Sequence, residues 1–158
     1  MARTIAIGSD HGGVELKARI IKALKKARYA VDDVGTDNAD SADYPAYGYA
    51  VAKQVSSRKA WRGIVICKSG IGMSMVANKV SGVRAGLCLS VADAVSSRQH
   101  NDANVLVLAA TRTPSKTALE IIKAWLKTKA LGGRHARRVK QIKDLERKEF
   151  KKRLKKKR

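Results

Sequence analysis

Short apolar runs, each stopped by a turn rich in Gly, Ser or Asp and followed by apolar residues at helical spacing, recur along this chain and leave few folds open to it. Residues 4–7 end in Gly8-Ser9-Asp10-His11-Gly12-Gly13. Leu16, Ile20, Leu24 and Ala27 then recur at helical spacing, opposite Lys17, Lys22, Lys25 and Arg28. Residues 31–34 predict a second strand and 44–55 a helix with Pro45 in its first turn. Residues 63–67 read as a buried strand, followed by a glycine turn and a helical stretch over 73–79. Residues 83–89 and 104–109 predict further strands, with a helix over 92–99 between them, and Leu119, Ile122, Trp125 and Leu126 mark another helix. Strands alternating with helices need right-handed crossovers and so a parallel arrangement. The expected architecture is a single α/β doubly wound domain: a five-stranded, mostly parallel sheet with helices on both faces.

The 158 residues are enough for one such domain with a sizeable core. No run approaches the roughly 20 apolar residues that cross a bilayer, and the first residues lack a signal-peptide pattern, so no membrane partner is expected. Cys67 and Cys88 form neither a disulfide framework nor a zinc spacing, which favours a reducing cytoplasm. About half of the formal net charge of +21 falls within residues 134–158. There a loose apolar stripe of Val139, Ile142, Leu145, Phe150 and Leu154 predicts a basic C-terminal helical tail that frays over 151–158. The expected division is a domain over 1–146 and a tail over 147–158. Such charge attracts polyanions and small phosphorylated ligands alike. One Phe, four Tyr and two Trp are too few for a base-stacking platform, so polyanion binding by the tail is expected to be weak.

In an open parallel sheet, ligands bind beyond the carboxyl ends of the strands. Two predicted strand ends are loaded with chemistry: Gly8 to Gly13, and Cys67-Lys68-Ser69-Gly70-Ile71-Gly72-Met73-Ser74. The latter has the makings of an anion cradle, its glycines allowing a tight turn and the following helix offering free N–H groups. It lacks the Gly-Lys-Ser/Thr ending of a Walker loop. Cys67 at a helix start is either a usable base or an inert core thiol. Asp10 and His11 are either site residues or a helix cap beside a surface histidine. Ser97 to Asn104 is dense in polar groups just before an apolar strand. Arg134 and Arg138, four apart, suit a phosphate clamp or a solvated basic face.

Taken in order, the segments GSDHGGVELK from Gly8, GT from Gly35, DYP from Asp43, ICKSGIGMSMVANK from Ile66, SRQHNDANVLVL from Ser97 and GGRHARRV from Gly132 resemble the type B ribose-5-phosphate isomerase family, which includes bacterial galactose-6-phosphate isomerases. The match runs from residue 3 to about 142. It implies a Rossmann-like aldose–ketose isomerase acting through an enediolate without metal or other cofactor. Cys67 would be the base that moves a proton between C1 and C2. Ser69 and the N–H groups of Gly70, Ile71, Gly72, Met73 and Ser74 would stabilise the oxyanion. His100 would help open the sugar ring, and Asp10 would orient or exchange hydroxyl protons. Tyr44 and Asn101 would line the sugar, while His11, Arg134 and Arg138 would bind phosphate. His100 and Asn101 precede a strand while Asp10 and Cys67 end strands. That opposition predicts a homodimer, or a tetramer of dimers, with sites shared between subunits.

The chain departs from the family pattern at Lys68, where Gly is usual, and at Ser69, where Thr is usual. A third departure is Thr111, which aligns with a phosphate-contacting Arg and is followed by Arg112. Lys68 either adds charge near Cys67 or crowds the site. Ribose 5-phosphate is the expected substrate, with a six-carbon sugar phosphate of the allose 6-phosphate type as the alternative. A sugar-phosphate sensor or polyanion-binding protein on the same scaffold is the reading from another class.

Overall fold

A computed structural model describes the backbone of residues 3–155 and the side chains of residues 3–149. The elements run β1 (Thr4–Ser9), a single 3-10 turn (His11–Gly13), α1 (Val14–Lys26), β2 (Ala30–Asp33), α2 (Tyr44–Ser56), β3 (Arg62–Cys67) and α3 (Ile71–Ala77). They continue as β4 (Ala85–Leu87), α4 (Val91–Asn101), β5 (Val105–Ala109), α5 (Ser115–Lys127) and α6 (Gly133–Lys155). The five strands pair in the order β2-β1-β3-β5-β4, and every pairing is parallel.

The pleat sorts strand residues between two apolar layers. Ile5, Ile7, Ile64, Ile66, Leu106 and Leu108 face α1 and α5, where Leu16, Ile20, Leu24, Ile121 and Trp125 cover them. Ala6, Val65, Val105 and Val107 face α2 and α3, against Val51, Val55, Met73 and Ala77. Both faces are covered, which is why these strands read as continuous apolar runs rather than alternating ones. Each fully buried Ile or Leu contributes about 2 kcal/mol.

Lys17 departs from the sequence reading. Its helical position put it on the solvated face of α1, yet its side chain is 2% exposed, with Nζ 2.5 Å from Asp33 Oδ2 and 2.9 Å from Asp37 Oδ1. Burial by itself would lower the ammonium's pKa, but hydrogen bonds and charge from Asp33 and Asp37 outweigh it and the net shift is upward. The bridge ties the segment after β2 to α1. Lys17→Met should destabilise the chain by about 2–3 kcal/mol at neutral pH in urea unfolding, because both carboxylates lose their counter-charge. A raised folded-state pKa contributes stability that is complete below the ordinary value of 10.5 and is lost as pH rises through the folded-state value. Wild type and variant should therefore converge in strongly alkaline buffer.

At the opposite, amino edge of the sheet, the Arg62 guanidinium lies 4.2 Å from the Trp61 ring and 4.8 Å from the Trp125 ring. Its Nη1 donates to the Trp125 and Leu126 carbonyls at the end of α5. Burial, with the charge of Arg98 behind it, brings the Arg62 pKa down to about 10. Arg3 covers Trp61 at 4.3 Å.

Helix α6 packs on α4 and buries Val139. The Glu146 carboxylate accepts from Gly82 N–H at 2.9 and 3.0 Å. The helix runs unbroken through residues 146 and 147 to Lys155, past the point where fraying is predicted. The side chains of Phe150 and Leu154, expected in its apolar stripe, and residues 156–158 lie outside what is described. Among the described residues, no helix is long and apolar enough to cross a membrane.

Candidate active site

From β1 the chain crosses to β2 on one side, then returns to β3 on the other, so β1 and β3 flank the switch point of the sheet. Ser9 pairs with Ile66, which places Asp10 beside Cys67 at the carboxyl edge. Cys67 is 5% exposed, and its Sγ accepts the Gly70 N–H at 3.2 Å. Gly70 adopts φ 76°, and a Cβ there would come within 2.5 Å of Leu87 Cδ1, so both backbone and space demand glycine. Ser69 Oγ accepts the Ile71 N–H at 3.3 Å, and Ser74 N–H donates to the Gly70 carbonyl at 3.0 Å. Among the described residues, the N–H groups of Gly72 and Met73 donate to no protein acceptor. They are the free donors of the turn, whereas the N–H groups of Gly70, Ile71 and Ser74 are already committed. The Met73 side chain is fully buried and serves the core, while Ile71 is half-exposed.

The neighbouring turn is built by capping. Asp10 is 6% exposed, and its Oδ1 accepts Gly12 N–H at 3.0 Å, so this residue is both a cap and a carboxylate beside Cys67. His11 Nδ1 accepts Ala42 N–H at 3.2 Å, so the neutral ring carries its proton on Nε2. Tyr44 opens α2, and a Cβ on Gly72 would lie 2.5 Å from its Cζ, so the phenol ring rests on the glycine turn. The carboxyl edge therefore gathers Asp10, His11, Tyr44, Cys67, Ser69 and the 70–74 turn.

The remaining predicted residues collect elsewhere. His100 and Asn101 end α4, ahead of β5, at the amino edge, and Arg134 and Arg138 lie in the first turns of α6. The length of β3 alone, about 15 Å, separates the two edges. One subunit does not bring the two groups together. Among the described residues, neither Arg134 nor Arg138 pairs with a carboxylate.

His135 is the residue that the sequence reading passed over. Its ring stacks on His100 with centroids 4.3 Å apart and planes 11° from parallel, and Arg134 Nε donates to its Nε2 at 3.5 Å. Burial first, then the charges of His100, Arg134 and Arg138, hold its pKa below the ordinary value. The signal was its place between two arginines already singled out.

The second thiol behaves differently. Cys88 is fully buried, and burial pushes its pKa up to about 11. In the folded chain, iodoacetamide at pH 8 should leave Cys88 unmodified, with any label confined to Cys67; peptide mass spectrometry would show it. Label on Cys88 before unfolding would contradict that placement. Among the described residues, no three His, Cys, Asp or Glu side chains cluster as a metal site.

A thiol, hydroxyl and unspent amides at the switch point of a doubly wound sheet suit proton transfer on a small anionic substrate. The family model described as Ribose/Galactose Isomerase matches residues 5–142. A Clostridium thermocellum ribose-5-phosphate isomerase B structure is 49% identical with a TM-score of 0.90, over 92% of this chain and 98% of that one. The Mycoplasma genitalium ribose-5-phosphate isomerase B with bound ribulose-5-phosphate is 38% identical with a TM-score of 0.89, over 93% of this chain and 98% of that one. The ribose-5-phosphate isomerase B of Escherichia coli is 40% identical over 144 residues, 91% of this chain and 97% of the relative. By class the protein is a sugar-phosphate isomerase. The chain belongs to the Ribose/Galactose Isomerase family.

Proposed function

We propose that this enzyme interconverts ribose 5-phosphate and ribulose 5-phosphate. The observation that carries the reading is the Cys67 Sγ beside unspent Gly72 and Met73 N–H groups at the switch point. Cys67, as thiolate, removes the C2 proton of the open-chain aldose. The electrons pass through an enediolate; the carbon proton returns to C1 and the O2 hydroxyl proton passes to O1, which gives the ketose. Nothing is oxidised or reduced overall, so the reaction calls for no redox partner. The two amides and the Ser69 hydroxyl are fixed donors for the developing oxyanion, which avoids reorganising solvent as the charge appears.

Asp10, with one oxygen committed to Gly12, has its other oxygen for a substrate hydroxyl. Tyr44 lines the sugar, and His11 Nε2–H faces phosphate. In this reading a second copy of the chain supplies His100 for ring opening, Asn101 for the sugar, and Arg134 and Arg138 for phosphate. A homodimer is then the smallest active unit. Catalysis resides in residues 1–146, with 147–158 a basic extension whose polyanion binding is weak.

Incubation of ribose 5-phosphate in deuterated water tests this directly. Ketose formation with solvent exchange at the transferred carbon position is expected by NMR. If neither ketose nor exchange appears, the pentose reading fails, and allose 6-phosphate is the next substrate to try.

A further inference from the structure

We propose that Lys68 is a phosphate-binding residue of this site, its ammonium meeting the dianion of the bound sugar phosphate. For the substrate, the proposal rests on the isomerase reading above. For the residue, it rests on how this lysine is held.

The backbone of Lys68 is fixed by the end of β5. Its carbonyl accepts Thr111 N–H at 3.1 Å and Thr111 Oγ1–H at 2.7 Å. The residue is exposed, but its stem lies over a neighbouring turn. A Cβ added to Gly12 would lie 2.5 Å from Lys68 Cγ and 3.2 Å from Lys68 Cε. The aliphatic chain therefore crosses the 3-10 turn, which has room for it only because residue 12 is glycine. This course carries Cε towards the turn that holds Asp10 and His11.

The head is unpaired. The same Gly12 position lies 3.3 Å from Asp10 Oδ1, yet that oxygen accepts Gly12 N–H, and among the described residues no carboxylate forms an ion pair with Lys68. Lys17, in the helix that follows the same turn, is already neutralised by Asp33 and Asp37. An ammonium whose stem already lies along the turn costs less entropy to engage with a ligand than one on an unsupported surface lysine does. Its neighbour along the chain is the catalytic thiol, so an anion bound by Lys68 stays within one small substrate's length of Cys67. Arg112, one residue past Thr111 and exposed like Lys68, is the natural comparison, because it is a second cation beside the same backbone contact.

Titration calorimetry with inorganic phosphate, paired with steady-state kinetics on ribose 5-phosphate, tests the proposal in the full chain. Lys68→Met should weaken phosphate binding and raise KM by about tenfold each, as expected for loss of one charge-assisted contact, with kcat little changed. Lys68→Arg should recover most of both, and Arg112→Met should leave both near wild type. Unchanged phosphate affinity in Lys68→Met overturns the proposal. So does a fall in kcat at constant KM, which would place the lysine at the reacting carbons. Wild-type protein that binds no phosphate also overturns it. If the wild type binds phosphate but does not convert ribose 5-phosphate, the calorimetry still decides Lys68 and the pentose reading alone falls.

Discussion

Cys67→Ala is expected to lower ribose 5-phosphate turnover by about 10³-fold, the loss that follows removal of a positioned base from proton transfer at carbon. KM should move far less, because Cys67 meets the reacting carbons and not the phosphate. Cys88→Ala supplies the matched control, since it removes the other thiol of the chain from the opposite apolar layer. It should cost some stability through the cavity left behind, but leave turnover close to wild type. Equal turnover in wild type and Cys67→Ala would leave the family assignment intact and remove Cys67 from the base's role. Met73, Ser74 and Met75 in the following helix offer no carboxylate to replace it.

The second large effect is a gain rather than a loss. Cys67→Ala and His100→Ala should each be nearly inactive alone, because on the shared-site proposal each breaks every site of a homodimer. Mixed, unfolded and refolded together at equal amounts, they should recover about one quarter of wild-type activity. Half of the resulting dimers are mixed, and each mixed dimer carries one site with both defects and one with neither. The expectation follows from the geometry: Cys67 ends β3 at the carboxyl edge, while His100 ends α4 at the amino edge of the same subunit. If the mixture stays as inactive as its parents, the shared site is wrong.

How much of this was readable in the chain depends on what each feature rests on. The number of strands and their parallel pairing followed from apolar runs separated by helical spacing, since both sheet faces are covered and the pattern is strong, whereas the order β2-β1-β3-β5-β4 came only with the structure. Boundaries shifted where pairing partners decide them. β4 keeps only Ala85–Leu87 of the seven-residue stretch expected, because it is an edge strand paired only to β5. The glycine turn was legible as an anion cradle, but not which of its amides are spent, because that depends on contacts such as Gly70 N–H to Sγ. Lys17 was placed in solvent for want of any sign that Asp33 and Asp37 fold back onto it. The same kind of non-local contact hid the His100–His135 stack, which joins two helices that local pattern treats separately.

The chain has two tryptophans, Trp61 and Trp125, and both lie at the amino edge with the Arg62 guanidinium against their rings. Intrinsic fluorescence therefore watches one end of the molecule only. The indoles are remote from the crevice of their own subunit, so in sugar-free buffer their emission certifies the fold of Cys67→Ala or Lys68→Met. On the shared-site proposal, any change in emission on adding sugar phosphate would originate at the amino edge, where that proposal puts the ring-opening histidine of a neighbouring crevice. Under that proposal the two indoles form a built-in optical reporter of assembly rather than of chemistry.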